Sequence, residues 1–357
     1  MAKFATLFSR AEKPVPVPAP TGMHAREADT TVLGAVALPR GPVGDIAVDA
    51  RSGVLVTANV ANRSISVLDA DTLEVRGVVK LDGDPVLVTV ADDRAYVAVA
   101  SATYDAIVAV NTNNGEIVHT YPLAFSATAL AVSADGKRVF VGRTGEENVD
   151  VAVIDTTAER VGTFGVAYRP GTSIDAVAVD PRGRHLYVAV TGLAGSALLT
   201  VDTGTGRTVR RLRLASPIRD LAVGREGLAY VLRSDRRHGG SIDIVDLAAN
   251  AVTYAVAIGG APTQLAVSPD GARGYVVDYD RVAVFDTMSV EIVDEITGDG
   301  QPACVAVRGD GRVYVADYAG AVTALDVPAS ALPTLYSHFV ATGPIIGRQV
   351  RELEPAV

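Results

Sequence analysis

The sequence predicts an all-β fold built from a repeated unit of four short strands. Its 357 residues include 34 glycines, and 48% of them are hydrophobic while 20% are charged. This composition is typical of buried strands joined by tight turns. Short apolar runs separated by turn residues recur in the same order at intervals of 40 to 47 residues, which indicates a repeat architecture.

The unit is most complete between Gln264 and Pro302. It contains four apolar runs, QLAVS, GYVVD, RVAVFD and VEIVDEI, and turn residues at Pro269-Asp270-Gly271, at Tyr279-Asp280 and after Asp286-Thr287. Such runs and turns predict a meander of four antiparallel strands. One sheet of this size cannot bury both of its faces, so neighbouring copies must pack against one another.

Seven copies align on the valine that ends the first strand. These valines are Val48, Val90, Val132, Val179, Val223, Val267 and Val307. The second strands then carry an aromatic residue or leucine followed by valine, at Leu55-Val56, Tyr96-Val97, Phe140-Val141, Tyr187-Val188, Tyr230-Val231, Tyr275-Val276 and Tyr314-Val315. The third strands end at Asp69, Asn111, Asp155, Asp202, Asp246, Asp286 and Asp326.

The seventh copy has no fourth strand after Asp326, whereas a matching strand, Thr31 to Leu38, precedes the first copy. The fold predicted is therefore a seven-bladed β-propeller of four-stranded antiparallel blades, closed by an N-terminal outer strand in the last blade. Burial of Val32, Leu33, Val36 and Leu38 would contribute about 6 to 12 kcal/mol before entropy is subtracted. We therefore expect closure to be essential for folding.

Two terminal segments lie outside the predicted array. Residues 1–30 form an arm whose run Pro14 to Pro20 favours polyproline-like backbone, residues 31–327 form the propeller, and residues 328–357 form a tail. No apolar run reaches the length of about 18 residues needed for a membrane span. The N-terminal FATLF is too short for a secretory signal, so we expect a cytoplasmic protein, and the single Cys304 excludes an intrachain disulfide.

The repeat resembles the YVTN-type β-propeller family of bacterial seven-bladed propellers. The resemblance is found in Ala129 to Gly136, in Leu265 to Gly271, in the Asp-Thr pairs that begin at residues 155 and 286, and in the prolines between blades. The resemblance covers residues 31–327, although the YVTN tetrad is nowhere intact. It implies a binding or interaction protein without shared catalytic residues. Related propellers include lactonases and quinoprotein dehydrogenases, but this chain has no tryptophan for a quinone-docking repeat.

Candidate site residues lie on the face that carries the connections between second and third strands. The last tetrad position reads Ala58, Val99, Arg143, Val190, Arg233, Asp278 and Asp317 in the seven copies. Two arginines and two aspartates around the opening of the central funnel indicate a pocket for a small zwitterion or a cation. The alternative is that Arg233 and Asp278, on neighbouring blades, form an ion pair with each other. The candidate binding residues are Arg143, Arg233, Arg236, Arg237, Asp278, Tyr279, Asp280, Asp317 and Tyr318.

Two sectors of the sequence have opposite charge. Residues 207–238 hold nine arginines against three acids, and residues 275–317 hold nine acids against three arginines, in a chain of net charge -9. This pattern favours an oriented protein partner or self-association, and the Arg236-Arg237 loop could meet phosphate. The alternative is that charges on outer strands only block pairing between sheet edges.

We infer from these features a non-enzymatic protein-interaction scaffold or ligand-binding propeller that uses the loop face, the central funnel and the two terminal arms. No GxSxG, P-loop or HExxH motif is present, and no cofactor is expected. One alternative is a metal-dependent, lactonase-like hydrolase around Asp278 and Asp317, although a calcium site needs about six to eight oxygen ligands. A second is nucleic-acid binding through residues 207–237.

Overall fold

The structure is a computed structural model. It describes residues 30–38, 41–49, 51–167, 171–214, 217–224, 227–298 and 300–327. The predictions made for the proline-rich arm before residue 30 and for the tail after residue 327 lie outside these residues.

Twenty-eight strands and one short 3-10 helix, Val60–Asn62, make up the described chain. The first half contains β1 Thr31–Ala37, β2 Val43–Asp49, β3 Val54–Asn59, β4 Ser64–Asp69, β5 Val75–Lys80, β6 Asp84–Ala91, β7 Arg94–Ala100, β8 Asp105–Asn111, β9 Ile117–Leu123, β10 Ala127–Val132, β11 Arg138–Thr144, β12 Val149–Asp155, β13 Arg160–Ala167 and β14 Ser173–Val179. The second half contains β15 His185–Gly192, β16 Gly195–Asp202, β17 Thr208–Leu214, β18 Ile218–Val223, β19 Leu228–Asp235, β20 Gly239–Asp246, β21 Ala251–Gly259, β22 Pro262–Val267, β23 Arg273–Asp278, β24 Arg281–Asp286, β25 Glu291–Thr297, β26 Pro302–Val307, β27 Val313–Asp317 and β28 Ala321–Asp326.

The strands form seven sheets of four, each an antiparallel meander, so the predicted seven-bladed propeller is confirmed. Six blades take four consecutive strands from β2 to β25, and the seventh has the order β1-β28-β27-β26. Within it, β1 pairs with β28 from Thr31 opposite Asp326 to Ala37 opposite Ala321. The predicted closure by an N-terminal strand is thus present. None of the described residues forms a helix long and apolar enough to cross a membrane.

The meander fixes which connections share a face. Turns between first and second strands and between third and fourth strands lie on one face, called here the turn face. Turns between second and third strands, and the connections between blades, lie on the opposite loop face. Because β1 occupies the place of a fourth strand, it begins at the turn face and ends at the loop face, where the Leu38 N–H donates to the Gly320 carbonyl at 2.8 Å.

The core lies between the blades and is built mainly from second and third strands. Aromatic side chains of the second strands are buried, for example Tyr96, Tyr275 and Tyr314 at 2% exposure or less. These strands are covered on both faces, which explains their continuous apolar sequences. Each interblade cluster joins residues of neighbouring sheets, so no blade has a complete core of its own.

The strand register corrects the sequence alignment in the first blade. Val48 pairs with Leu55, whereas the equivalent Val90 pairs with Ala95, the residue before Tyr96. Val56 therefore takes the place of the aromatic residue, and the last tetrad position in this blade is Asn59, not Ala58. Asn59 is 5% exposed, accepts a hydrogen bond from the Thr57 hydroxyl and donates to the Ser66 hydroxyl.

The closing strand buries less apolar surface than the sequence suggested. Val32 is 63% exposed and Leu33 47%, whereas Leu38 is 6% exposed and Val36 packs partly against the core. The expectation that all four side chains stabilise closure is therefore wrong, because an outer strand leaves one side open to solvent. Closure depends instead on the backbone ladder to β28 and on the end of the segment near Leu38.

We therefore expect truncation of this segment to have strongly position-dependent effects. Leu38→Ala should lower the free energy of unfolding by about 2 to 5 kcal/mol, as for other buried leucines. Val32→Ala should change it by less than about 0.5 kcal/mol, because the side chain is exposed. Chemical denaturation of both variants measures these changes. An equal loss of unfolding free energy in the two variants would contradict the conclusion that closure depends on the end of the segment near Leu38 and not on Val32.

The turn between the third and fourth strands has the same backbone conformation in six blades. In each, one residue has a left-handed conformation, four positions after the residue that ends the third strand. This position is occupied by Leu73, Gly115, Glu159, Gly206, Asn250 and Val290, with φ between 52° and 72°. The aspartate that ends the third strand, or Asn111 in the second blade, accepts hydrogen bonds from the turn. For example, Asp155 Oδ1 accepts from the Thr157 and Ala158 N–H groups at 3.0 and 2.8 Å. Only glycine adopts this conformation without steric cost.

Exchanging residues between equivalent turns should therefore shift stability in opposite directions. Glu159→Gly should stabilise the protein by up to about 1 kcal/mol, because it relieves a left-handed non-glycine residue at an exposed site. Gly206→Ala should destabilise it, since a Cβ there would lie 2.4 Å from Phe164 Cδ1 and φ is 68°. Thermal unfolding of both variants tests this, and a stabilising Gly206→Ala would refute it.

Candidate binding site

The first strands of the seven blades form a ring around the central channel, since each contacts the first strand of the next blade from β2 through to β26 and back to β2. Each first strand has a register shift near its start, as between Val43 and Asp45 in β2. The residue after this shift is Asp45, Leu87, Ala129, Ala176, Asp220, Gln264 or Cys304.

The three polar residues at this position tie blades together. Asp45 Oδ2 accepts from the Val88 N–H of the next blade at 2.9 Å, and Asp220 Oδ2 accepts from the Leu265 N–H at 2.7 Å. Gln264 Oε1 accepts from the Val305 N–H at 2.7 Å, while its amide nitrogen donates to Asp45 Oδ1 at 3.1 Å. The first, second, fifth, sixth and seventh blades are thus linked through side chains at the channel.

Sequence reasoning missed these residues, although a signal was present. Asp45, Asp220 and Gln264 each lie three positions before the aligned valine of a strand that is otherwise apolar. Polar groups in such strands need hydrogen-bond partners. Here the donors are backbone N–H groups on the innermost strand of the next blade, so the channel residues are explained as structural links.

Burial changes the acidity of the channel groups. It raises the pKa of Asp45 to about 6, although three N–H donors oppose the shift. It also raises the pKa of Asp220 to about 7, and the nearby charge of Asp45 adds to this. Burial, with a further contribution from Asp45, places the pKa of the Cys304 thiol well above its usual value. Cys304 is therefore a buried and unreactive thiol.

These shifts predict that stability falls as the pH rises through the weakly acidic range. Between about pH 4 and pH 6 the folded state keeps a proton on Asp45 that the unfolded state has lost. The free energy of unfolding therefore falls as the pH rises, by about 3 kcal/mol in total at pH 6. The Asp45→Asn variant should show a flatter dependence from pH 4 to 7, measured by denaturation at each pH. The Asp82→Asn variant, which changes an exposed aspartate, should keep the parental slope. An unchanged slope in Asp45→Asn would contradict the assignment.

Two of the predicted arginines are fixed within their own blades. Arg143 is 6% exposed, forms an ion pair with Asp150 at 2.8 Å and lies over the Phe125 ring at 4.7 Å. Arg233 forms an ion pair with Asp243 at 2.6 Å. Each pair joins neighbouring strands of one sheet. Arg143 and Arg233 therefore stabilise the loop-face ends of their blades.

Asp278 holds the connection between the fifth and sixth blades. It is 3% exposed, accepts from the Ala261 N–H at 2.7 Å and pairs with Arg281 at 3.3 Å. A Cβ on Gly260 would lie 2.1 Å from Asp278 Oδ1, so the backbone passes directly against the carboxylate. Arg281 also pairs with Glu295 of the outer strand. The ion-pair partner of Asp278 is thus Arg281 of its own hairpin.

The seventh blade repeats this arrangement. Asp317 Oδ1 accepts from the Ala321 N–H at 2.7 Å, and a Cβ on Gly300 would lie 2.1 Å from Asp317 Oδ2. The Tyr318 N–H donates to the Gln301 carbonyl at 3.0 Å. In both blades an aspartate is packed between a glycine of the preceding connection and its own hairpin turn. This contact fixes the turn that follows.

Each of these turns presents an exposed tyrosine on the loop face. Tyr279 is 69% exposed and Tyr318 is 55% exposed. Tyr279 has φ of 44°, a left-handed conformation that is uncommon for a bulky residue. Such a conformation persists when the surroundings determine it. The buried Asp278 and its hydrogen bonds provide that constraint.

The neighbouring turn of the fifth blade is basic. Asp235 Oδ1 accepts from the Arg237 and His238 N–H groups at 2.7 and 3.1 Å, which lowers the pKa of this carboxyl. The side chains of Arg236 and Arg237 are exposed. Within the part of the chain that the structure describes, neither forms an ion pair. Their charges are available to a ligand.

The structure thus divides the nine predicted site residues into two groups. Arg143, Arg233, Asp278 and Asp317 are held inside the loop-face ends of their blades. Arg236, Arg237, Tyr279, Asp280 and Tyr318 are exposed on the loop face of the fifth, sixth and seventh blades, and we call them the loop-face patch. Among the described residues, no three His, Cys, Asp or Glu side chains come together in a way that could hold a metal ion.

The arginines between residues 207 and 238 do not form one surface. Arg211 and Arg213 are exposed on the outer strand β17, whereas Arg210 donates to the Leu247 and Ala248 carbonyls. Arg219 lies on the innermost strand β18. The basic sector predicted from the sequence is therefore distributed between the outer edge, the channel and the loop face.

Relatives define the class of this protein. The chain is 52% identical over 317 residues to a seven-bladed beta-propeller protein of Mycolicibacterium smegmatis, covering 88% of this chain and 86% of the relative. It is 31% identical over 320 residues to a seven-bladed beta-propeller protein of Mycobacterium tuberculosis, covering 79% and 81%. The chain belongs to this family of seven-bladed beta-propeller proteins.

Structural comparison agrees with the fold. Hydrazine synthase of Kuenenia stuttgartiensis has a chain that matches with a TM-score of 0.73 and 17% identity, covering 83% of this chain and 98% of that chain. At this identity the likeness concerns the fold alone. No family model matches the sequence.

Proposed function

We propose that this propeller is a binding protein that holds a protein partner on the loop-face patch. The observation that carries the proposal is the pair of exposed tyrosines, Tyr279 and Tyr318, on turns fixed by the hydrogen-bonded carboxylates of Asp278 and Asp317. Rigid, exposed aromatic side chains supply contact area at a small entropic cost and are enriched in the residues that dominate binding energies.

The charge beside the tyrosines indicates the chemistry of the partner. Arg236 and Arg237 lie on the adjacent blade without ion-pair partners among the described residues, and arginine is also enriched at interfaces. The remainder of the patch contributes only one exposed acid, Asp280. A segment with acidic residues next to an apolar or aromatic anchor fits this surface, with the acids directed toward the fifth blade.

The repeat itself supports an interaction role. We propose that the repeats belong to the YVTN type, because corrected alignment gives Val56-Thr57-Ala58-Asn59 in the first blade, which restores the final asparagine of the tetrad. The hydrolase alternative has less support, because Asp278 and Asp317 each accept a backbone N–H and Asp278 is buried in an ion pair. The nucleic-acid alternative has less support, because the arginines are divided among three places.

The proposal is tested with a display library of random peptides selected on the full chain. Selected peptides should carry acidic residues beside an apolar residue. Arg236→Glu with Arg237→Glu, and Tyr279→Ser with Tyr318→Ser, should each weaken their binding by about tenfold or more, as for other interface anchors.

Matched controls are provided by the outer strands. Arg211→Glu with Arg213→Glu changes the same charge away from the patch, and Tyr254→Ser removes a tyrosine that is 62% exposed on β21. Both controls should bind like the parent protein. Peptides that lose affinity equally in the controls and in the patch variants would overturn the proposal.

A further inference from the structure

The two exposed tyrosines lie on adjacent blades at equivalent positions. Tyr279 follows Asp278 and Tyr318 follows Asp317, and these aspartates pair with the equivalent residues Pro262 and Pro302. Packed sheets are spaced about 10 Å apart. The rings are therefore two neighbouring aromatic surfaces on one face. Pairs of aromatic surfaces on a fixed frame are the chemistry by which proteins recognise proline-rich segments.

The chain carries such a segment itself. Residues 13–20 read Lys-Pro-Val-Pro-Val-Pro-Ala-Pro, and this run favours polyproline II backbone, which is already extended and loses little entropy on binding. With a rise of about 3.1 Å per residue, the run is about 20 Å long and so exceeds the spacing of two blades.

The anchoring of the arm places this segment within reach of the tyrosines. The arm continues into β1, the outer strand of the same blade that carries Tyr318. From the start of β1 at the turn face to the loop face is about 25 Å, counting seven residues of strand and the lateral step across β28. Residues 21–30 span up to about 35 Å when extended, so the connection is long enough.

Charge gives the arm a direction. If Pro20 lies nearest its anchor at the seventh blade, the run proceeds toward the sixth blade and brings Lys13 next to the turn Tyr279-Asp280. Asp280 is exposed, whereas Asp278 is occupied by Arg281. A basic residue that flanks a proline run thus meets the exposed acid of the patch.

We propose that the proline-rich arm of this chain docks on Tyr279 and Tyr318 of the same molecule, with Lys13 against Asp280. This inference rests on the proposed function, since the arm then covers part of the surface that binds the partner. The arm acts as an internal competitor, and the partner must displace it. Partner affinity is therefore lower with the arm intact than with an arm that cannot dock.

The absence of tryptophan allows a direct test in the full chain. A Tyr318→Trp variant is prepared with the native arm and with Pro14, Pro16, Pro18 and Pro20 all changed to Ser. The native arm should reduce acrylamide quenching of the indole by about half relative to the serine arm, because a docked chain covers the ring. Tyr104→Trp, on a 51% exposed tyrosine of the second blade, should be quenched equally with both arms.

A charge exchange tests the predicted direction. Lys13→Glu should increase quenching in the Tyr318→Trp background, and addition of Asp280→Lys should restore protection. Equal quenching with native and serine arms would overturn the inference. Protection that disappears on dilution would also overturn it, because the arm would then be bound by a second copy.

Peptide binding distinguishes a failure of this inference from a failure of the proposed function. Peptides selected on the patch should bind more tightly to the serine-arm protein than to the parent. Loss of peptide binding in Tyr279→Ser with Tyr318→Ser, together with equal quenching, would reject self-docking but retain the partner surface. If the native arm protects the indole from quenching but no peptides that depend on the loop-face patch are selected, the patch is not a partner surface.

Discussion

The structure depends on closing a ring of sheets, none of which has a core of its own. Each blade buries its strands only against its neighbours, so an open array would leave two sheet faces in water. Pairing of β1 with β28 joins the chain start to its last blade and removes those faces. The side-chain links of Asp45, Asp220 and Gln264 reinforce the ring at its centre, where strands meet most closely.

Closure gives the loop face its rigidity, and this relates the fold to binding. The blade connections cross from one sheet to the next on this face. An aspartate that accepts a hydrogen bond from the N–H group of such a connection therefore links neighbouring blades and also shapes a turn. Asp278 does this between the fifth and sixth blades, whereas Asp317 accepts from the Ala321 N–H of its own blade and packs against Gly300 of the preceding connection. The exposed tyrosines that follow them are therefore positioned by these carboxylates, and a ligand need not order them on binding.

The sequence predicted what periodicity and turn chemistry determine, namely the blades, their count and the closing strand. It could not predict side-chain partners, since these depend on register. In the first blade the sequence alignment was displaced by one residue, so it put Ala58 at the position that Asn59 occupies. The sequence also suggested an ion pair between Arg233 and Asp278, because these residues lie on neighbouring blades. Exposure of Val32 also required the structure, because an apolar strand at a sheet edge has the same sequence pattern as a buried one.

We infer that Asp278 and Asp317 hold the tyrosine-bearing turns in a preformed conformation. Amide hydrogen exchange of the parent protein tests it most directly at Ala261 and Ala321, whose N–H groups donate to Asp278 and Asp317. These amides should exchange slowly, like those of neighbouring strands, although Ala261 lies on a surface connection and Ala321 at the loop-face end of β28. The exposed turn residues Glu146 and Glu147 should exchange rapidly. Exchange at Ala261 and Ala321 as fast as at Glu147 would contradict the account.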